Sequence, residues 1–332
     1  MFLNKAPAFL FLKTNKRTNH QTNRAIVRNK KEISYFYGMD KLVIICSPAK
    51  AIEESHIKEA EGFFEKQGYK TERAKHLLGQ NNYFSGTIEE RAADFQNAID
   101  HPDAVIILCA RGGYGCLQLM PHLDWTNFIK KPKILIGFSD ITVFHQFLAS
   151  KGLPSLHATM PLNYKDNSDL SFSSMMDAIE ERPYSLVAPN SKYNQKGKVT
   201  ADVIGGNLSV LSGLLALHPK NIFDDKILFI EDLGEHLYHY DRMLQVFTQS
   251  HSFERLAGVV VGSFTNSKDT EVPYGKTLEE IVLSHFSSLN IPIGFGFPAG
   301  HAGDNQAIIF GMPADLIVDD SAELKFYSEL AP

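Results

Sequence analysis

Residues Lys133–Gly152 read KILIGFSDITVFHQFLASKG: a short apolar run ends at Gly137-Phe138-Ser139-Asp140 and passes directly into an amphipathic helical pattern. A strand that turns into a helix without a connecting loop puts the junction residue at the carboxyl edge of a sheet. Here that residue is Ser139. A serine on such an elbow projects its hydroxyl outward. The next backbone N–H, that of Asp140, lies at a helix N-terminus and can stabilise an oxyanion. The competing reading is local, since Ser or Asp before a helix also serves as an N-cap.

Upstream the same grammar repeats. Strand patterns at 41–46, 69–74, 104–109 and 133–138 alternate with helical patterns at about 52–67, 87–100, 115–123 and 140–151. This βα alternation predicts an α/β fold with parallel strands and right-handed crossovers, whose functional residues gather at the strands' carboxyl ends. Three loops fall there: Ser47-Pro48-Ala49, Arg111-Gly112-Gly113-Tyr114-Gly115 and Gly137–Asp140. Between about 162 and 198 the periodicity fades into Asn, Ser, Asp, Lys and Pro, with one helical piece near 171–181, as in a linker. Beyond it come strands at 199–204, 226–231, 257–263 and near 291–296, helices at 207–217, about 240–250 and 275–287, and hairpin-like pairs at 306–310 and 315–327. The expected organisation is a basic, disordered or non-native extension over 1–38, an N-terminal α/β domain over 39–163, a linker over 164–198 and a smaller mixed α/β domain over 199–332.

Composition bounds what the chain does. At 332 residues, 44% hydrophobic and 21% charged, it is long enough for about two soluble globular domains. The first 38 residues hold eight Lys/Arg against one acid, so a net charge of −5 leaves about −12 on the remainder. A body that acidic is a poor nucleic-acid binder. No apolar stretch reaches the ~18 residues needed to span a bilayer, so no membrane partner is expected. Cys46, Cys109 and Cys116 have no paired spacing and read as reduced core thiols of a cytoplasmic protein. Neither H-E-x-x-H nor a comparable ligand cluster occurs, so no metal and no cofactor are called for.

The loops carry the chemistry. Arg111–Gly115 follows the strand Ala104–Cys109, and its three glycines let backbone N–H groups approach a ligand closely. The spacing fits neither phosphate-loop pattern. A plain tight turn remains possible for the glycines, but it does not need Arg111, whose guanidinium suits a substrate carboxylate. Leu228-Phe-Ile-Glu231-Asp232 ends an apolar strand in two acids, which serve either in a cleft or as helix caps. Ile293-Gly-Phe-Gly-Phe-Pro-Ala-Gly-His301 is a Gly/Pro-rich loop that presents one histidine. A general base must be held within hydrogen-bond reach of its nucleophile, which favours a rigid loop. Together Ser139, Glu231 and His301 suggest a Ser-His-Glu arrangement where the two domains meet.

These segments resemble the LD-carboxypeptidase family of serine peptidases, which includes muramoyltetrapeptide carboxypeptidases and microcin C self-immunity peptidases. The likeness runs from Lys41 to about Tyr327. It rests on Ile44-Ile-Cys-Ser-Pro48, Arg111–Gly115, Gly137–Asp140, Gly205-Gly206-Asn207, Phe229-Ile-Glu-Asp232 with Tyr240-Asp-Arg-Met-Leu244, and Gly294–His301. The resemblance implies a flavodoxin-like parallel-sheet domain, a smaller α/β domain, a site at their interface and a homodimer. It also implies the triad Ser139, Glu231 and His301, and an oxyanion hole from the N–H of Asp140 and that of Gly112 or Gly113. Arg111 and Tyr114 are the candidate substrate contacts. Residues 1–38 have no counterpart in the family pattern, and Cys116 stands where a small polar residue is common.

The implied reaction is removal of terminal D-alanine from a cytoplasmic murein tetrapeptide during peptidoglycan recycling. An enzyme acting on a microcin-like peptidyl nucleotide is the nearest alternative. A two-domain protein that binds a small ligand in its cleft is the alternative outside enzymes.

Overall fold

The computed structural model of the chain describes residues 41–219 and 221–327. The expectation for residues 1–38 lies outside the described residues.

The first sheet is built from β1 (Leu42–Cys46), β2 (Lys70–Arg73), β3 (Ala104–Cys109), β4 (Ile134–Gly137) and β5 (Ser155–His157). All are parallel, in the order β2-β1-β3-β4-β5, the flavodoxin-like arrangement. Its central strands read as continuous apolar runs because both faces are covered. Ile44, Cys46, Ile107 and Leu135 face a core with Phe95, Trp125, Phe128 and Phe144, from the segments around the helices Ile88–Asp100, Thr126–Lys130 and Thr142–Ser150. Val43, Ile45, Ile106 and Ile136 alternate to the other face, against Ile57 and Phe64 of helix Glu54–Lys66 and Met175 and Met176 of helix Asp169–Ile179. Helix Ile88–Asp100 starts with a capping box between Thr87 and Glu90.

Phe95 and Phe144 stack at 4.4 Å beside Trp125, all buried. Phe144 is fully enclosed, so Phe144→Ala leaves a cavity the tight packing cannot refill. We expect it to lower unfolding free energy by about 3–5 kcal/mol in urea titrations.

The second sheet has seven strands in the order β10-β9-β8-β7-β12-β13-β6. These are β6 (Tyr184–Ala188), β7 (Gly197–Asn207), β8 (Ile227–Leu233), β9 (Gly258–Thr265), β10 (Ile293–Gly300), β12 (Pro313–Val318) and β13 (Ala322–Phe326). Strands β7 to β10 are parallel, and the other three pair antiparallel. The hairpin expected at 315–327 is β12–β13.

Two local expectations are corrected. The strand expected near 291–296 is present but runs on to Gly300, through residues read as loop. Its register on β9 breaks between Phe295 and Gly300, which absorbs Gly296 at φ +81° and Pro298. Residues 306–310 do not form a hairpin. Their strand, β11 (Ile308–Phe310), crosses back to pair antiparallel with β5 and extends the first sheet. The segment read as a linker carries the helix Asp169–Ile179 and β6.

The carboxyl ends of the two parallel sets meet. Thr142, one turn beyond Ser139, accepts a hydrogen bond through Oγ1 from the Asn207 N–H at the end of β7 (3.1 Å), and Gln146 Nε2 donates to the Gly205 carbonyl (2.7 Å). Gly206 makes this approach possible, because a Cβ there would lie 2.5 Å from Thr142 Oγ1.

Candidate active site

Ser139 sits at φ +64°, in the left-handed region that side chains rarely enter. This backbone kink turns β4 into the single 3-10 turn Ser139–Ile141 and then the helix Thr142–Ser150. His145 of that helix braces the elbow from beneath. Its Nε2 lies 2.9 Å from the Gly137 carbonyl, which can only accept, so Nε2 carries the hydrogen and Nδ1 accepts from Ser155 Oγ (2.8 Å). Burial pulls the His145 ring down to about 4, which keeps it neutral in this structural role.

The glycine loop lies against the elbow. A Cβ on Gly112 would stand 3.0 Å from Ser139 Cβ, 3.2 Å from Ser139 Oγ and 3.3 Å from the Asp140 nitrogen, so the absent side chain permits the contact. Gly113, at φ +112°, packs on Lys50 and Tyr83. Arg111 is tied down, its Nη1 donating to the Ala51 carbonyl (2.9 Å). Tyr114 is 49% exposed, with its ring 6.3 Å from that of Phe84.

From the second sheet come the acid and the histidine. Glu231, at the carboxyl end of β8, is fully buried, and its Oε2 accepts from His301 Nδ1 at 2.6 Å. His301 directly follows β10, and its carbonyl accepts from Thr265 Oγ1 (2.9 Å). Its ring packs on Phe138, the neighbour of Ser139, at 4.8 Å between centroids. The structure thus brings Ser139, Gly112, Asp140, Glu231 and His301 to one seam between the sheets.

Electrostatics at this seam follow from burial and pairing. Burial pulls the His301 imidazole down, but the charge and hydrogen bond of Glu231 more than reverse this, holding the ring above the ordinary 6.5. The adjacent Asp232 carboxyl is pushed up to about 6 by burial, opposed by the Ser209 hydrogen bond. Asp232 ties β8 to the start of the helix Leu208–Leu214 that follows β7: Oδ1 accepts from Asn207 Nδ2 (3.0 Å) and Oδ2 from the N–H and hydroxyl of Ser209 (2.9 and 2.7 Å). A carboxylate that fixes Nδ1–H of an imidazole leaves Nε2 free as a base, and a buried carboxylate stabilises the charged ring that results.

Gly300 sets the Glu231–His301 geometry. A Cβ there would meet Glu231 Oε2 and Cβ at 2.8 Å each and Ser263 Oγ at 2.7 Å, on a backbone at φ +113°. Gly300→Ala is expected to displace the carboxylate and cut kcat about 100-fold, since ~1 Å misplacements carry penalties of that size. Steady-state kinetics beside a melting curve would check it, and unchanged kcat would show that the carboxylate tolerates displacement.

No sequence pattern singles out Thr142, Thr265 or Arg91. Arg91 sits in a charged helical stretch, where such residues ordinarily face solvent. Yet it is 2% exposed, with Nη1 donating to the Pro48 carbonyl (2.8 Å) and Nη2 to Gln118 Oε1 (2.8 Å).

Residues 43–158 match the LD-carboxypeptidase N-terminal domain, and residues 200–316 match the LD-carboxypeptidase C-terminal domain. The chain is 31% identical over 293 residues to the murein tetrapeptide carboxypeptidase of Pseudomonas aeruginosa, covering 84% of this chain and 94% of that protein. It is 25% identical over 316 residues to the microcin C7 self-immunity protein MccF of Escherichia coli, covering 82% and 89%. The crystal structure of muramoyltetrapeptide carboxypeptidase from Oxalobacter formigenes superposes with a TM-score of 0.76 at 26% identity, covering 86% of this chain and 99% of that one.

Proposed function

Because this chain belongs to the LD-carboxypeptidase family and is a serine carboxypeptidase, we propose that it removes terminal D-alanine from cytoplasmic murein tetrapeptides through Ser139, His301 and Glu231. In this reading Ser139 Oγ attacks the carbonyl of the L,D peptide bond while His301 Nε2 takes its proton. The carbonyl oxygen becomes an oxyanion, stabilised by the N–H of Asp140 and that of Gly112 or Gly113. Collapse of this intermediate breaks the C–N bond. His301 returns the proton to the departing amine, which leaves as D-alanine, and the tripeptide stays esterified to Ser139. Water then attacks the ester with His301 again as base, releasing the tripeptide and restoring Ser139. Glu231 holds the ring tautomer and stabilises the imidazolium throughout.

Arg111 and Tyr114, on the glycine loop, are assigned to the carboxylate and flank of the departing residue. The three buried free thiols suit the reducing cytoplasm.

The observation that carries the reading is the 2.6 Å contact between Glu231 and His301, with the imidazole packed on the residue beside left-handed Ser139. The test is release of alanine, followed by mass spectrometry, from a murein tetrapeptide ending in D-alanine and from its L-alanine counterpart. Release from the D-form alone is expected. Equal release from both would remove the stereochemical assignment. Cleavage of a peptidyl nucleotide in place of either would favour the second reading, which similarity to MccF supports.

A further inference from the structure

We propose that Arg91 and Asp140 act as paired positioning residues, clamping the Gly115–Cys116 peptide between opposite charges and so fixing the oxyanion hole. Such a clamp rests on the acyl-transfer chemistry proposed for Ser139 and extends it to residues away from the reacting atoms.

One peptide unit is held at both ends. Arg91 Nη1 donates to the Gly115 carbonyl (3.3 Å), and Asp140 Oδ2 accepts from the Cys116 N–H (2.8 Å). A peptide group carries a dipole of about 3.5 D with its oxygen end negative. The guanidinium is at that oxygen and the carboxylate at the N–H, so both charges hold the plane in one orientation. Gly115 makes the grip possible: at φ +152°, a Cβ there would sit 2.6 Å from Arg91 Nη1.

Neither side chain has a purely local task. Asp140 is 3% exposed and does not cap its helix, since neither the turn Ser139–Ile141 nor the helix Thr142–Ser150 has a side-chain cap bond. Arg91 spends its remaining donors on the Pro48 and Gly86 carbonyls and Gln118, with its guanidinium over the Phe84 ring at 4.5 Å. It therefore joins the loops after β1 and β3. Keeping two buried charges is costly unless each is fully partnered, and here the shared partner is the peptide that ends the glycine loop.

The functional consequence is geometric. The Asp140 N–H is one proposed oxyanion donor, and its own carboxylate pins the loop that supplies the other. The clamp fixes the two donors relative to each other, leaving substrate contacts elsewhere untouched.

An alkyl fluorophosphonate tests this, because it phosphonylates the serine through a tetrahedral phosphorus centre without needing peptide specificity. Arg91→Met and Asp140→Ala are expected to slow labelling of Ser139 about 30- to 100-fold, a little less than removal of a whole donor. Affinity for the product tripeptide, read by calorimetry, should stay within about threefold. Arg91→Lys and Asp140→Asn keep a donor and an acceptor and should recover much of the rate, to about tenfold below the parent. If the first two variants fail to fold, this tenfold loss in the conservative pair carries the test. Labelling at the parental rate in folded variants overturns the clamp, as does equal loss of labelling and tripeptide affinity. A parent protein that is not labelled at Ser139 overturns the acyl-transfer reading, and the clamp with it.

Discussion

Ser139→Ala is expected to lower kcat about 10⁵- to 10⁶-fold while leaving the fold and substrate affinity in place. The size follows from the cooperative nature of a nucleophile–base pair: with the hydroxyl gone, His301 has no proton to take, and only binding and the oxyanion donors remain. Stability should barely change, because alanine bears the same left-handed backbone strain as serine at φ +64°. Ser139→Gly separates the two properties. It should be equally inactive yet about 1 kcal/mol more stable, since glycine enters that region without penalty. Single-turnover kinetics and urea titrations on both variants check the pair of outcomes. Residual turnover within 100-fold of the parent in Ser139→Ala would remove this serine from the mechanism.

Glu231→Gln is expected to cost about 10⁴-fold in kcat, because a neutral amide neither fixes the imidazole tautomer nor stabilises its charged form. The pH profile gives the more specific signature. In the proposed mechanism His301 acts as a base only when neutral, and Glu231 is what lifts its pKa above 6.5 against the downward pull of burial. The acid limb of kcat/KM should therefore lie above pH 6.5 in the parent and fall below it in the variant. The linked effect on stability has the same origin. A histidine raised in the folded state contributes stability that is complete below its unfolded pKa and is lost as pH rises through the folded one. The pair's contribution should thus be full below about pH 6.5 and fade above it. An acid limb that does not move would mean that another group sets it.

How far the sequence discloses this site depends on whether a residue's role is local. The elbow is legible because an apolar run meeting a helix across Gly-Phe-Ser-Asp admits few backbone paths. The parallel sheet is legible because β1, β3 and β4 are buried on both faces and so lack polar positions. The continuation of β10 beyond residue 296 is not: Pro298 and Gly300 are loop residues by propensity, and the pairing of Gly300 with β9 overrides them. Nor is the placement of Ile308–Phe310, because three residues carry too little pattern to reveal a partner far away in the chain. Asp140 reads as a cap and Arg91 as a solvated helix charge. Both meanings change only when the fold brings Gly115 and Cys116 between them.

The return of β11 to the edge of β5 also governs how the chain comes off the ribosome. The partner for Ser155–His157 is Ile308–Phe310, roughly 150 residues later. At about 5–20 residues per second, the nascent N-terminal half waits roughly 8 to 30 s with a hydrogen-bonding edge unpaired. An open strand edge is a template for association with other chains. Vectorial synthesis therefore leaves the half that carries Ser139 exposed to intermolecular pairing until almost the last strand emerges. Pulse-labelled nascent chains halted before residue 308 should bind holdase chaperones that release once β11 is out.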